Sequence, residues 1–181
     1  LLQLIPAAEY REALWKNGGG LSYEIACDDA TNPTWRIAVA RINRPGPFSD
    51  YRGYDRTILA LEGGSVELEV NGARIPLVPL HPYGFPGEAR VHAHTRGGPA
   101  RDLNVMTMRD EWVHDVEIVG APARFVLDEE EFALVYAIDG AVLVDEQRCA
   151  AGDTVAVDEC ESFGVTPDAG AHAAVIRITP I

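Results

Sequence analysis

The chain has 181 residues, of which 47% are hydrophobic; that suits one large β domain or two small fused ones and suffices for a packed core. Its formal net charge of −13 argues against a nucleic-acid backbone or an anionic membrane surface as the main partner. No run reaches the roughly 20 apolar residues of a membrane helix, and residues 1–10 lack the basic flank and cleavage site of a secretory signal, so a soluble, cytoplasmic protein is expected. The three cysteines, Cys27, Cys149 and Cys160, form no CxxC pair and read as reduced thiols.

The first distinctive segment is Trp15-Lys16-Asn17-Gly18-Gly19-Gly20. Three glycines in a row leave positive φ open and let backbone N–H groups approach an acceptor. With the cation of Lys16 and the amide of Asn17 beside them, an anion- or carboxylate-binding loop is one reading. A flexible lead into the first strand is the other.

Strand signals then follow at 35–41, 56–61, 65–70, 73–77, 89–95, 103–108, 113–118, 124–127, 132–138, 141–145, 147–150, 154–157 and 173–179. Most alternate, as in Val66-Glu67-Leu68-Glu69-Val70, which places Val and Leu on one face and Glu on the other. Asn71-Gly72 separates two such runs and favours a type I′ hairpin. Helical signals are scarce: the acidic run Asp128 to Glu131 caps a short turn at most. Short strands punctuated by Gly, Pro and Asp predict an all-β chain, an antiparallel sandwich or barrel.

A faint internal repeat adds to this. Thr57 to Gly64, followed by Val66 and Leu68, resembles Ala133 to Gly140, followed by Val142 and Val144. Two related β units are expected, at residues 1–110 and 111–181. The second is the shorter and is expected to borrow strands from the first.

Polar residues of functional type cluster in the first half. Gly46-Pro47-Phe48-Ser49 and Gly53-Tyr54-Asp55-Arg56 suit a pocket rim. Asp55 and Arg56 are neighbours, so a strand turns them to opposite faces. Asp102, Asn104 and Met106 share one face of a strand, with Leu103 and Val105 on the other; that face lines a cavity or meets water. His92-Ala93-His94 places two imidazoles on one side of a strand, the beginning of a metal site if further ligands are near, but no acid follows within seven residues and His81, His114 and His172 stand alone. No nucleophile-elbow or Cys–His signature is present.

These clusters are also where the sequence resembles the HutD/Ves family. The similar segments are Trp15 to Gly20 with Glu24, Trp35-Arg36-Ile37, Gly46 to Ser49, Gly53 to Arg56, Gly63-Gly64, Phe85-Pro86-Gly87-Glu88 and Asp102 to Met106, in order over residues 4–110. The resemblance implies an all-β double-cupin fold, two jelly-roll units in one chain. It further implies a link to histidine utilisation and a non-catalytic role in binding a pathway intermediate such as formylglutamate. Carried over residue by residue, the ligand-binding candidates are Lys16, Asn17, Glu24, Arg36, Phe48, Ser49, Asp55, Arg56, Asp102, Asn104 and Met106. Lys16, Arg36 or Arg56 would meet a carboxylate; Asn17, Ser49 and Asn104 would read amide or formyl groups; Phe48 and Trp15 would supply an apolar wall. The family often places two basic residues after Asn-Val-Met, whereas this chain has Thr107-Met108-Arg109.

The expected partner is thus a small polar or carboxylate metabolite, with no catalytic residue, cofactor or metal. Two alternatives stand beside it: a metal-dependent cupin enzyme using His92 and His94, and a scaffold whose sheet pairs with another protein or with itself as a homodimer.

Overall fold

Apolar–polar alternation runs through most of the chain, and the computed structural model, which describes residues 1–15 and 18–181, is built almost wholly of strands. In chain order these are β1 (Leu2–Ile5), β2 (Arg11–Leu14), β3 (Gly20–Cys27), β4 (Trp35–Ile42), β5 (Gly46–Pro47), β6 (Tyr54–Val70), β7 (Ala73–Pro76), β8 (Tyr83–Pro86) and β9 (Val91–Met108). There follow β10 (Trp112–Val119), β11 (Ala123–Val126), β12 (Phe132–Ala137), β13 (Val142–Val144), β14 (Gln147–Cys149), β15 (Thr154–Val157), β16 (Ser162–Pro167) and β17 (Ala173–Pro180). A single 3-10 turn, Ala7–Glu9, is the sole helical element among the described residues, none of which forms a helix long and apolar enough to cross a membrane. The strands divide into two compact units, Arg11–Glu111 on the one hand and Leu1–Tyr10 with Trp112–Ile181 on the other.

The Arg11–Glu111 unit is one antiparallel sheet in the order β2-β3-β4-β9-β6-β7, with β5 added beside β9 and β8 beside β6. Its long strands, β6 and β9, each join two segments that the sequence separates at glycines. The register of their pairing shifts around Gly63, whose φ is +111°, and Gly97 and Gly98 opposite also have positive φ. A side chain at Gly63 would place its Cβ 2.6 Å from the Pro99 carbonyl oxygen. These glycines therefore bend two continuous strands where their backbones press together. The β6–β7 hairpin turns at Asn71 and Gly72, both at positive φ (48° and 88°), as a type I′ turn requires.

Central strands of this sheet are buried on both faces. Ile37, Val39, Leu59, Leu103 and Val105 lie on one face at 0–1% exposure. On the other, Ile42, Ile58, Ala60, Leu68 and Phe85 join a second apolar cluster, and the polar row of β9 shares that side. Asp102 is fully buried and Asn104 half-buried, so the polar face of this strand turns inward to a cavity rather than to open solvent.

The Leu1–Tyr10/Trp112–Ile181 unit is a sandwich. A five-stranded sheet, β1-β15-β12-β17-β10, and a four-stranded sheet, β11-β16-β13-β14, contribute to one core. That core includes Val135, Val155 and Val175 from the first and Phe125, Val144 and Phe163 from the second. Phe125 and Phe163 stack with centroids 5.4 Å apart, so side chains fill this interior. The first ten residues, assigned on sequence to the N-terminal unit, supply the edge strand β1 here. Its pairing with β15 is reinforced by the Tyr10 hydroxyl, which donates to the Gly152 carbonyl at 2.8 Å, and by the Ala7 N–H, which donates to Asp153 Oδ1 at 2.8 Å.

Candidate functional site

Strand register sets out the site. Across the Arg11–Glu111 sheet, Arg36, Met106 and Arg56 are paired in one row on β4, β9 and β6; Ala38, Asn104 and Ile58 form the next, and Ala40, Asp102 and Ala60 the third. All nine point to one face, because side chains on a strand alternate with period two. The small side chains of Ala38 and Ala40 leave space above the sheet. The result is a cavity of about 470 Å³, walled by Trp15, Ser22, Phe48, Ser49, Asp50 and Tyr51, with Ala38, Ala40, Asn104, Met106, Arg36 and Arg56 at its base and side.

Arg56 is the dominant group. It is only 7% exposed, and its guanidinium carbon lies 5.0–5.4 Å from the ring centroids of Phe48, Tyr51 and Phe85. Three aromatic rings exclude water while their faces attract the cation. Its Nη2 donates to Asn104 Oδ1 at 2.8 Å, but among the described residues Nε has no hydrogen-bond partner and no carboxylate forms a salt bridge with the guanidinium. Burial pulls its pKa down from the ordinary arginine value, against the opposing pull of Tyr51 and Asp102. A buried cation with an unused donor is costly unless an acceptor meets it.

Beneath it lies Asp102. Asn104 donates from Nδ2 to Asp102 Oδ1, so the amide links the buried cation to the buried acid, while Asp102 Oδ2 has no partner among the described residues. Burial raises the Asp102 carboxyl to about 7; the charge of Arg56 and the Asn104 hydrogen bond pull the other way.

Arg36, by contrast, is ion-paired: its Nε donates to Glu24 Oε2 at 2.7 Å, and Glu24 also pairs with Arg11. Glu24 thereby positions Arg36 from beside the cavity and does not line it. Asp55 turns to the opposite face of β6. There it receives Arg109 Nε at 2.9 Å, and Arg109 also grips both oxygens of Glu88 at 3.2 Å and the Tyr54 carbonyl. It braces a loop outside the cavity.

Of the residues singled out on sequence, Arg36, Phe48, Ser49, Arg56, Asn104 and Met106 therefore line one cavity, Asp102 and Glu24 support it, and Asp55 stands apart. Lys16 and Asn17 lie outside the described residues. Trp15 forms wall, with its ring edge-on to Phe48 at 6.1 Å and its indole N–H donated to Ser22 Oγ at 2.8 Å. Sequence reasoning missed Tyr51, Asp50, Ser22, Ala38 and Ala40. Strand alternation from Arg36 would have found the two alanines, and the loop carrying Phe48 and Ser49 runs on to Tyr51.

His92 and His94 sit on the β6–β9 ladder opposite Glu69 and Glu67. Their rings lie 4.7 Å apart, and His94 Nε2 is 3.6 Å from Glu69 Oε2. Among the described residues no group of three His, Cys, Asp or Glu side chains is arranged to hold a metal ion. The described cavity lining contains neither His nor Cys. Its chemistry is that of two guanidiniums, the exposed carboxylate of Asp50, hydroxyls, an amide and aromatic walls, a set whose buried cation suits a small anion with polar substituents.

Comparison with known proteins agrees with this architecture. The family model described as HutD matches residues 7–175. The Pseudomonas putida 21.2 kDa protein of the hutC 3′ region is 38% identical over 109 residues, 58% of this chain and 57% of that protein, so the match spans little more than half of that relative. Protein Ves of Citrobacter koseri is 38% identical over 132 residues, 71% of this chain and 68% of its own length. Among solved structures, HutD from Pseudomonas fluorescens SBW25 superposes with a TM-score of 0.91 at 28% identity over the whole of both chains. The nickel(II) complex of the Escherichia coli pirin YhhW shares the fold alone, with a TM-score of 0.72 at 12% identity over the whole of both chains. The fold is an all-β double cupin.

Proposed function

This chain belongs to the HutD family, and from that premise we propose that it is a non-catalytic, metabolite-binding double cupin of histidine utilisation. Its cavity takes formylglutamate or a closely related carboxylate. The observation that carries this reading is Arg56, a 7% exposed guanidinium that is caged by three rings and has no ion-pair partner among the described residues, at a cavity whose volume of about 470 Å³ falls in the range of small-molecule sites.

A ligand carboxylate at Arg56 supplies the missing acceptor. Charge-assisted hydrogen bonds of this kind contribute about 1.5–3 kcal/mol each, more where water is excluded. Arg36 and the hydroxyls of Ser22 and Ser49 lie on the same cavity wall and suit the second carboxylate and the formamido group of an acylated amino diacid. The flat space over Ala38 and Ala40 accepts its methylenes. Guanidiniums, hydroxyls and aromatic walls are groups that hold a carboxylate in place, and holding the intermediate rather than converting it is the role this reading gives the cavity.

A thermal-shift screen tests the reading with formylglutamate, formimino-glutamate, glutamate, urocanate and histidine at millimolar concentration. A ligand that binds only the folded state at 100 times its Kd adds about 2.7 kcal/mol of stability. A shift of several degrees with an acylated glutamate, lost in Arg56→Ala, is expected. No shift across the panel, or an undiminished shift in Arg56→Ala, contradicts the reading.

A further inference from the structure

The chain of groups behind the cavity points to how binding at that site is regulated, an inference that rests on the carboxylate reading above. Arg56 Nη2 donates to Asn104 Oδ1 at 2.8 Å, and Asn104 Nδ2 donates to Asp102 Oδ1. Both ends of this relay are buried, and each has one unused atom, Arg56 Nε and Asp102 Oδ2. We propose that a ligand anion enters this site together with a proton, which Asp102 takes up, so that loading of the cavity is governed by pH as well as by ligand concentration.

Charge in a dry place governs this coupling. With Asp102 ionised, Arg56 and Asp102 form a buried neutral pair joined through a neutral amide. A ligand carboxylate then makes two anions share one cation, an arrangement that forces one of them to protonate. No other described charge at the site relieves this. Arg36 on β4 already pairs with Glu24 on β3 at 2.7 Å and, in the reading above, meets the second carboxylate of the ligand, so it adds no cation for the carboxylate at Arg56. From the loop before β6, Tyr51 faces Arg56 and is no cation, and Asp50, more than half exposed, adds a hydrated negative charge. Asp102 is the anion with the weakest claim to its charge. It is fully buried, holds one hydrogen bond from a neutral donor, and has a carboxyl already displaced to about 7 by burial. The ligand carboxylate instead meets the guanidinium directly.

Isothermal titration calorimetry of the intact protein with N-formyl-L-glutamate, and separately with formate, tests this. Each pH is run in two buffers of unlike ionisation heat, neither a carboxylate nor a phosphate. About one proton is taken up per ligand near pH 8.5 and almost none near pH 5.5, and affinity falls about tenfold for each pH unit above neutral. In Asp102→Asn, which keeps the oxygen that Asn104 donates to, uptake vanishes and affinity no longer depends on pH over that span. Binding without proton uptake in the native protein overturns the inference and leaves the site reading intact. Uptake that persists unchanged in Asp102→Asn overturns it as well, by assigning the proton to another group. Absence of binding at every pH overturns the site reading and the inference together.

Discussion

Replacing Asp102 by asparagine is expected to change how the stability of the ligand-free protein depends on pH. Burial raises this carboxyl from its ordinary 3.8 to about 7; at about 1.4 kcal/mol per pH unit the fold penalises the ionised form by roughly 4 kcal/mol. Between about pH 4 and pH 7 the native state keeps a proton that the unfolded chain has lost, so this group makes stability fall as pH rises through that window and level off above it. Asparagine cannot ionise, yet it presents the same acceptor to Asn104. Relative to the native protein, Asp102→Asn should therefore gain stability progressively from about pH 4 to about pH 8, by up to roughly 4 kcal/mol. Urea denaturation of both proteins at a series of pH values measures this directly. The remaining carboxylates titrate in both and cancel in the difference. A difference that stays constant over the whole window refutes the reasoning.

Three further outcomes follow from the same geometry. Arg56→Lys keeps a charge but loses the planar fork between the aromatic rings, and should weaken formylglutamate binding about 10- to 100-fold by titration calorimetry. Ala38→Leu places a branched side chain in the space over the sheet and should weaken binding at least about tenfold without lowering the melting temperature, since the added group is apolar and enclosed. Phe163→Ala removes a fully buried ring stacked on Phe125 and should destabilise the sandwich unit by about 3–5 kcal/mol in urea melts.

The sequence was most legible where strand periodicity and turn chemistry coincide. Val66 to Val70 alternates, Asn71-Gly72 turns, and the hairpin forms in that register. It was least legible where a local signal served a distant contact. Gly63-Gly64 and Gly97-Gly98 read as strand boundaries, but they are bends in continuous strands that are apposed across the sheet. β2 is wholly exposed and so carries no alternation to detect. β1 pairs with residues some 150 positions away, beyond any local pattern.

The site divides in the same way. Arg56 and Asn104 stand out as polar residues in apolar strands, and both meet the cavity. Asp55 carries as strong a local signal as Arg56, yet period two sends it to Arg109 on the other face, where Arg109 also holds Glu88. The alanines that create the space carry no chemical signal of their own. Their role emerges only when register aligns Ala38 and Ala40 with Asn104 and Asp102.

Whether Arg56 holds a ligand carboxylate is settled by a crystal structure of the protein with N-formyl-L-glutamate. The expected result is a carboxylate within about 3 Å of the Arg56 guanidinium nitrogens, with the ligand chain lying over Ala38 and Ala40. A ligand bound elsewhere, or a guanidinium left facing solvent or another protein group while the ligand occupies the cavity, would contradict it.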